Sequence, residues 1–272
     1  MDTVYPHQIP SCSQSHLASR LGRADAPLIL DVCKAPAYDG GERLIAGALR
    51  VDPGSLQSTL AHLPPDRDIV IYCVHGEEVS QSAARDLIGA GCRAAWLEGG
   101  IAAWSESGLP TMVKQPDLGL PAIPGIPTRW ITRERPKIDR IACPWLIWRF
   151  IDPTAEFLYV PAGEVIAAAG RERAIPYDVP AVRISHRGAE GELCSFDALL
   201  AECGLNDPAL PHLARMVRGA DTGRPELTPE SPGLLAISLG LSVIFPDDRA
   251  MLEAGIGVYD ALYAWIRSAQ AE

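Results

Sequence analysis

Short apolar runs that alternate with helical patterns dominate the first part of the chain. Three of these runs cover residues 28–30, 69–72 and 94–97. Their lengths suit buried strands and are too short for helices. Apolar residues at helical spacing separate the second run from the third: Val79, Ala83, Ala84, Leu87 and Ile88, ending near Gly91. Because strands that alternate with helices form parallel sheets covered by helices, this pattern predicts an α/β domain.

A proline-rich stretch interrupts the chain at residues 114–128. Its prolines support neither a helix nor a central strand: Pro116, Pro121, Pro124 and Pro127. We therefore expect this stretch to run extended as a semi-rigid spacer. The chain has 272 residues, which is comfortable for two domains. The predicted organisation is a first domain at 8–113, a linker at 114–128 and a second domain at 129–272.

Helical patterns and a few short strands are expected in the second domain. Residues 138–150 are apolar at helical spacing, and Pro144 must either start that helix or kink it. Residues 233–241 predict a short, mostly buried helix. Residues 157–160 and 181–184 are apolar runs typical of strands. The second domain is therefore predicted to be mixed and α-rich, and its topology stays open.

Composition narrows the possible compartments and partners. The net charge of −10 argues against broad nucleic-acid binding, which needs a basic face. No apolar run approaches the roughly 20 residues of a membrane span. Residues 1–7 lack the basic and apolar segments of a secretory signal. Seven cysteines without a CxxC pair argue against a disulfide framework or a zinc ribbon. We expect a cytoplasmic protein with no membrane partner, whose oligomeric state stays open.

Cys73 directly follows the second predicted strand and precedes the predicted helix. Ligands bind at the carboxyl ends of strands in open α/β sheets. The free N–H groups of the first helical turn favour a thiolate and lower the cysteine pKa from about 8.5. We therefore predict a nucleophilic Cys73; the alternative is a cysteine that merely fills the strand end. The backbone that would hold its sulfur or an oxyanion comprises Val74, His75, Gly76, Glu77, Glu78, Val79 and Ser80.

Four segments, in order, resemble those of rhodanese-family sulfurtransferases. They are Asp31-Val32, residues 44–48 (Leu-Ile-Ala-Gly-Ala), the loop at 73–79 and residues 97–104 (Leu-Glu-Gly-Gly-Ile-Ala-Ala-Trp). The resemblance implies that Cys73 takes sulfane sulfur from a donor such as thiosulfate and holds it as a persulfide. A thiol or a cyanide-like acceptor then receives the sulfur, and no cofactor is required. Asp31 is expected to orient or support the site rather than act as its base.

The sequence departs from the sulfurtransferase pattern in three respects. Cys33 stands where the family usually has arginine. The loop at 73–79, called the Cys73 loop below, is one residue longer and is similar to loops of related phosphatases and arsenate reductases. It contains Glu77 and Glu78 and no arginine, and these carboxylates are expected to repel anions unless they point outward. Thiosulfate as the natural donor therefore stays open, and thiol-dependent reduction of an oxyanion is an alternative function.

Three further side chains have candidate roles in the chemistry of Cys73. His75 is two residues from Cys73 and is a candidate for assisting proton transfer, or it simply faces solvent. Cys33 and Cys92 are candidates for resolving an oxidised or persulfidated Cys73 as a disulfide. The sequence does not establish that either thiol lies close to Cys73.

Segments spread over the second domain resemble the C-terminal domain of bacterial chromate-resistance proteins. They are residues 129–147, 185–188, 194–197, 218–221 and 259–265. The resemblance implies a role in chromate tolerance, with sensing or regulation suggested. The chain is thus expected to be a sulfurtransferase coupled to a chromate-resistance domain. A redox or chromate sensor without catalysis is the alternative.

The second domain also carries two sets of candidate binding residues. A basic cluster has the guanidinium groups that pair with tetrahedral oxyanions such as chromate or sulfate: Arg129, Arg133, Arg135, Lys137 and Arg140. The alternative is a solvated face of ion pairs. Weaker candidates for binding a metal ion are His186, Cys194, Asp197 and Asp221. No short-range ligand spacing supports that metal site, and a structural histidine and a buried cysteine are the alternative.

Overall fold

The structure is a computed structural model that describes residues 9–188 and 192–271. Residues 1–7, which carry the prediction about a secretory signal, lie outside the described residues, as do residue 8 of the first predicted domain and residue 272 of the second. Within the described ranges, no helix combines the length and the apolar character needed to cross a membrane.

The first part of the chain forms a parallel sheet flanked by helices, as predicted. Its elements are β1 (Ser11–Cys12), α1 (Gln14–Arg20), β2 (Leu28–Asp31), α2 (Ala35–Gly40), β3 (Arg43–Ile45), β4 (Ala48–Arg50), α3 (Leu56–Thr59), β5 (Ile69–Tyr72), α4 (Glu78–Gly89), β6 (Ala94–Leu97), α5 (Gly100–Glu106) and β7 (Thr111–Val113). The sheet order is β1-β6-β5-β2-β4, and every pairing in it is parallel. Strands β3 and β7 form a separate antiparallel pair.

Strands β2 and β5 occupy central positions and are buried at every residue. Burial on both faces explains why their sequences are continuous apolar runs rather than alternating ones. Because all the strands of this sheet are parallel, their carboxyl ends meet at one edge. Asp31, Arg50, Tyr72 and Leu97 end the four longer strands at that edge, and Cys73 follows Tyr72 directly.

The second part of the chain is rich in helices, which also confirms the prediction. Its elements are β8 (Arg129–Arg133), α6 (Asp139–Phe150), β9 (Glu156–Val160), α7 (Val165–Glu172), β10 (Ile175–Pro176), α8 (Ser195–Cys203), α9 (Leu210–Asp221), α10 (Ser231–Ile244) and α11 (Asp248–Ala271). A small parallel sheet has the order β10-β8-β9. Short 3-10 turns complete the described elements: Pro53–Ser55, Leu60–His62, Pro116–Leu118, Ala162–Glu164 and Pro225–Leu227.

Two local predictions for the second domain differ from the structure. Residues 181–184 do not form a strand, because Ala181 adopts a left-handed conformation (φ +65°) and only Ile184 makes an isolated bridge. Residues 233–241 lie in α10, which is more exposed than expected, with Ile237 49% and Leu239 46% exposed. This helix packs through another face, which buries Ser238. Apolar composition alone therefore overstated its burial.

The proline-rich stretch at 114–128 is not the extended spacer that its composition predicts. Leu120 and Ala122 are buried within it, and the Arg50 N–H donates to the Ala122 carbonyl (2.8 Å). On the other side, the Gln115 amide donates to the Glu202 carbonyl in α8. The prolines exclude helix, but the apolar residues between them still gain free energy by burial. The stretch consequently packs against both parts of the chain.

The two parts share one continuous buried core, and the second part contacts the amino-terminal side of the first sheet. Gly22, in the loop that leads into β2, packs against Tyr263 and Phe150. Gly47, directly before β4, packs against the backbone of Arg149. The Arg267 guanidinium donates to backbone carbonyls at the end of α1. The carboxyl edge that carries Cys73 lies at the other end of the strands.

Candidate functional site

Cys73 lies where β5 ends and is only 6% exposed. Its Sγ atom is 3.3 Å from the hydroxyl oxygen of Ser80, which lies in the first turn of α4. The Ser80 hydroxyl is also 3.1 Å from the Glu77 carbonyl oxygen. A thiolate attracts the single hydroxyl proton more strongly than a neutral carbonyl does. The arrangement therefore favours a hydrogen bond from Ser80 to the ionised sulfur.

Backbone N–H groups complete the surroundings of this sulfur. Burial raises the pKa of the Cys73 thiol, but hydrogen bonds from the Ser80 hydroxyl and from the N–H groups of Ser80, Glu77 and Gly76 outweigh that effect. The resulting pKa lies below the ordinary value of a thiol. Sequence reasoning included Ser80 only through its backbone. Its place in the first turn of the helix after the loop was the signal that its side chain also faces the sulfur.

The segment at 97–104 packs directly against the Cys73 loop. Gly76 has φ +70°, and a Cβ atom there would lie 2.4 Å from the Leu97 carbonyl oxygen. A Cβ atom on Gly100 would lie 2.3 Å from the Cys73 carbonyl oxygen. The Ile101 N–H donates to that same Cys73 carbonyl at 3.0 Å. The two loops thus approach so closely that only glycine fits at both positions.

Asp31 supports the site from the adjacent strand and is 2% exposed. Its carboxylate accepts hydrogen bonds from the Cys33 N–H (2.8 Å) and from the Tyr72 hydroxyl (3.0 Å). The Arg50 guanidinium lies 3.4 Å away. These contacts join the carboxyl ends of β2, β4 and β5.

The polar side chains of the Cys73 loop face solvent. His75, Glu77 and Glu78 are all exposed. The two carboxylates therefore lie in water, where solvent and salt screen their charges. Their repulsion of an anionic donor is weaker than the same charges would exert inside a pocket.

The two other candidate thiols differ in their distance from Cys73. Cys33 is buried, and burial, the Asp31 carboxylate and the neighbouring Cys73 together raise the pKa of its thiol well above the ordinary value. Cys33 is therefore near Cys73 but protonated. Cys92 precedes β6, at the opposite edge of the sheet. Strands of this length separate the two edges by about 13 Å, so Cys92 is too far away to resolve Cys73 in this conformation.

The basic residues predicted to bind an oxyanion do not form one free cluster. Arg129 pairs with Glu156 on the surface. Lys137 is partly exposed. The Arg135 side chain donates to backbone carbonyls at the end of α10: those of Ser242, Phe245 and Pro246.

Arg133 and Arg140 instead converge on one buried carboxylate, Asp178, at 2.9 and 3.0 Å. Asp178 is 3% exposed. Both guanidinium groups thus already share an intramolecular carboxylate partner. An oxyanion would have to displace these intramolecular partners, which the sequence pattern did not reveal.

The residues suggested as metal ligands separate into two groups. Cys194 and Asp197 cap the amino end of α8, and Asp197 forms a bidentate ion pair with Arg218 (2.6 and 2.9 Å). His186 and Asp221, in contrast, lie together, with Nε2 to Oδ2 at 3.1 Å.

Asp139 joins His186 and Asp221, and sequence reasoning missed it. Its Oδ2 atom is 3.3 Å from His186 Nε2, and Asp178 Oδ1 is 3.5 Å from the same nitrogen. Burial and the charge of Asp221 raise the pKa of Asp139 to about 7. Hydrogen bonds to the surrounding carboxylates raise the pKa of His186 to about 12. An acidic residue at a helix start is common, so this position carried no distinctive signal.

Comparisons with known proteins match two separate parts of the chain to different domain families. The model of the ChrB C-terminal domain matches residues 130–266, and that of the rhodanese-like domain matches residues 13–107. Protein ChrB of Cupriavidus metallidurans is 35% identical over 141 residues, which are 52% of this chain and 41% of that protein. This chain therefore spans less than half of that relative.

Two further proteins match the first part of the chain. A sulfurtransferase of Allochromatium vinosum is 31% identical over 99 residues, which are 36% of this chain and 91% of that protein. A solved structure of a rhodanese-related protein from Thermoplasma volcanium has 25% sequence identity and a TM-score of 0.33. That match covers 38% of this chain and 96% of the other chain.

Proposed function

The chain belongs to the family defined by the ChrB C-terminal domain, and it joins that domain to a rhodanese-like domain. We propose that it is a sulfurtransferase that carries sulfane sulfur as a persulfide on Cys73. The observation that carries the proposal is the set of hydrogen-bond donors around Sγ, which lowers the thiol pKa. A thiolate is the reactive form of cysteine toward a sulfur electrophile.

The proposed reaction has two displacement steps. The Cys73 thiolate attacks the outer sulfur of a donor such as thiosulfate, and a new S–S bond forms as the donor's S–S bond breaks. Sulfite leaves with the bonding electron pair. A thiolate or cyanide then attacks the outer sulfur of the persulfide, and the electron pair returns to Cys73. Atoms and charges balance in both steps without a cofactor.

The same donors suit each charged state of the sulfur. A persulfide anion extends the thiolate by one sulfur atom and keeps its negative charge near the N–H groups of Gly76, Glu77 and Ser80. Donors held in place by a folded backbone need little reorganisation as charge moves. We propose that Asp31 keeps the strand ends aligned through Tyr72 and Cys33 while this happens.

Oxyanion binding by the basic cluster is not part of the proposal, because Arg133, Arg135 and Arg140 already have partners inside the protein. We propose that the chromate-resistance domain depends on another site, formed by Asp139, His186 and Asp221. The exposure of Glu77 and Glu78 supports access of thiosulfate to Cys73.

A single-turnover experiment tests the function. Reduced protein is mixed with thiosulfate without an acceptor, and released sulfite is measured. We expect one equivalent of sulfite for each chain and continuous release when cyanide is added. Cys73→Ser is expected to release none, whereas Cys92→Ser, at the opposite edge of the sheet, should behave as the unmodified protein. Equal sulfite release by the Cys73→Ser variant would disprove the proposal.

A further inference from the structure

We propose that Asp139, His186 and Asp221 bind a divalent first-row transition-metal ion in the second domain. The three residues come from different elements: Asp139 begins α6, Asp221 ends α9, and His186 lies in the segment between β10 and α8. One ligand atom from each residue lies within 4.8 Å of the other two. The fold therefore brings together three groups that have no common spacing in the sequence.

The two distances from His186 within the cluster match those between ligands of one ion. Nε2 of His186 is 3.1 Å from Asp221 Oδ2 and 3.3 Å from Asp139 Oδ2. Metal–ligand bonds of about 2.1 Å place neighbouring ligand atoms about 3.0–3.4 Å apart in octahedral or tetrahedral sites. A ring nitrogen carries one hydrogen at most, so it makes one well-directed hydrogen bond. A single N–H cannot satisfy several carboxylates around it, whereas a cation accepts all of these atoms as ligands.

The charges around the cluster also favour a bound cation. Asp178 is balanced by Arg133 and Arg140. In the described parts of the chain, the ion pairs of Asp139 and Asp221 are with His186 alone. The Asp139 side chain is 2% exposed, and a buried carboxylate is costly unless it is paired or coordinates a metal. When His186 binds as a neutral ligand, a divalent cation balances the charges of the two carboxylates.

The backbone directly before Asp139 is held in place by hydrogen bonds. Ile138, directly before Asp139, has φ +43°, which is rare for a β-branched residue. Its N–H donates to the Ser238 hydroxyl (2.9 Å), and its carbonyl accepts from the Tyr259 hydroxyl (2.7 Å). Groups that fix a ligand from outside are a regular part of metal sites. Asp139 is thus positioned by contacts from α10 and α11.

The ligand set limits the class of metal and leaves room for a further ligand. Two carboxylates and one imidazole suit Mn²⁺, Fe²⁺ or Zn²⁺ and do not resemble a thiolate site for a soft ion. Three protein ligands leave at least one position open, as in catalytic rather than structural sites. The side chains of His186 and Asp221 are 35% and 14% exposed. The open position would therefore be reached from solvent on their side and would take water or an oxygen ligand.

Titration with Mn²⁺, followed by electron paramagnetic resonance, tests this site in the full chain. Mn²⁺ is chosen because it prefers oxygen and nitrogen ligands to the seven free thiols of the chain. After dialysis against a chelator, we expect the signal of free Mn²⁺ to be lost up to one equivalent. Asp221→Asn and His186→Gln are expected to weaken binding by about tenfold or more. Glu156→Gln, which removes a surface carboxylate on β9, should leave binding unchanged.

Two results would overturn the inference: no saturable Mn²⁺ binding, or equal binding by the Asp221→Asn and His186→Gln variants. Circular dichroism and sulfite release from Cys73 establish that each variant is folded. Both ligand variants alter partly exposed side chains, so the second replaces the first if one fails to fold. Because Cys73 chemistry is expected to proceed with and without Mn²⁺, failure of the metal proposal and failure of the sulfurtransferase proposal are distinguishable.

Discussion

Ser80 connects the helix after the Cys73 loop with the reactive sulfur. Its hydroxyl is 3.3 Å from Sγ, and its backbone N–H is one of the donors that lower the Cys73 pKa. Burial opposes these donors, so the fraction of thiolate near neutral pH depends on a balance between the two effects. Removing one donor should shift that balance toward the thiol.

Replacement of Ser80 by alanine is therefore expected to raise the pKa of Cys73. Since the thiolate reacts and the thiol does not, alkylation by iodoacetamide should lose rate at a higher pH in the variant than in the unmodified protein. The rate is measured across pH, and Ser82→Ala on the same helix serves as the control. Superimposable profiles for Ser80→Ala and the unmodified protein would show that the hydroxyl does not affect the sulfur.

The residues of the Cys73 site were easier to predict from the sequence than those of the proposed metal site. Cys73 and its loop were predictable because a strand, a glycine-containing loop and a helix follow one another directly. Asp139, His186 and Asp221 were only partly predictable, because separate elements bring them together. The prediction that Arg133 and Arg140 belong to a free oxyanion-binding cluster was wrong for the same reason, because their partner, Asp178, is remote in sequence. Local patterns do not contain that information.

At the scale of elements, α5 and the Cys73 loop form one unit. The first turn of α5 donates N–H groups to the carbonyls of Cys73 and Val74, at 3.0 and 2.9 Å. Gly100 allows this approach because any Cβ atom there would collide with the Cys73 carbonyl. The shape of the sulfur site therefore depends on a helix that follows it in the chain and contributes no side chain to the chemistry.

Gly100→Ala is expected to displace the Cys73 loop and to slow sulfite release by about tenfold or more, since small misplacements of a reacting group have such effects. Gly91→Ala is the matched control, because Gly91 also has a positive φ but no atom within 4 Å of its Cβ position. In both variants, the left-handed backbone at alanine costs about 1 kcal/mol of folding free energy. Equal rates in the two variants would contradict the proposed contact between α5 and the loop.

The predicted secondary structure agrees with the structure where apolar runs and helical patterns alternate clearly. It differs where tertiary contacts determine the backbone conformation. The three predicted strands of the first sheet are present, with bounds that differ by at most one residue. The run at 181–184 has strand-like composition, yet Ala181 turns the backbone out of the extended conformation. The exposed apolar residues of α10 show that composition does not determine which face of a helix is buried.

At the scale of the whole molecule, the two parts of the chain are joined by a shared core rather than by a free linker. Gly22 contacts Tyr263 and Phe150, and Arg267 donates to the carbonyls of Leu21 and Ala18. These contacts lie on the amino-terminal side of the first sheet. Cys73 lies at the opposite, carboxyl edge of that sheet.

A shared core predicts that both parts unfold together in one calorimetric transition. A Cβ atom on Gly22 would lie 2.4 Å from the Tyr263 ring, so Gly22→Ala should lower the transition temperature or split the transition in two. The expected shift is about 2–4 °C for each kcal/mol lost. Gly108→Ala is the control, because Gly108 also has a positive φ (+66°) but open space around it. Identical melting of both variants would contradict a tight interface at Gly22.

The proline-rich stretch explains why this organisation was not evident from the sequence. Four prolines within 114–128 are typical of a spacer, but burial of Leu120 and Ala122 turns the same stretch into part of the core. The division into rhodanese-like and ChrB-type parts was predictable from local motifs. The contacts between the parts depend on residues such as Gly22 and Arg267, which belong to no motif.

The most direct test of the central claim is the intact mass of the protein after incubation with thiosulfate and removal of excess reagent. If Cys73 carries sulfane sulfur, the unmodified chain should gain the mass of one sulfur atom and lose it again on addition of cyanide. Cys73→Ser should gain nothing, and Cys33→Ser should still gain one sulfur atom, because the Cys33 thiol is held protonated and does not carry the sulfur. An unchanged mass of the unmodified protein, or an equal gain by Cys73→Ser, would contradict the account.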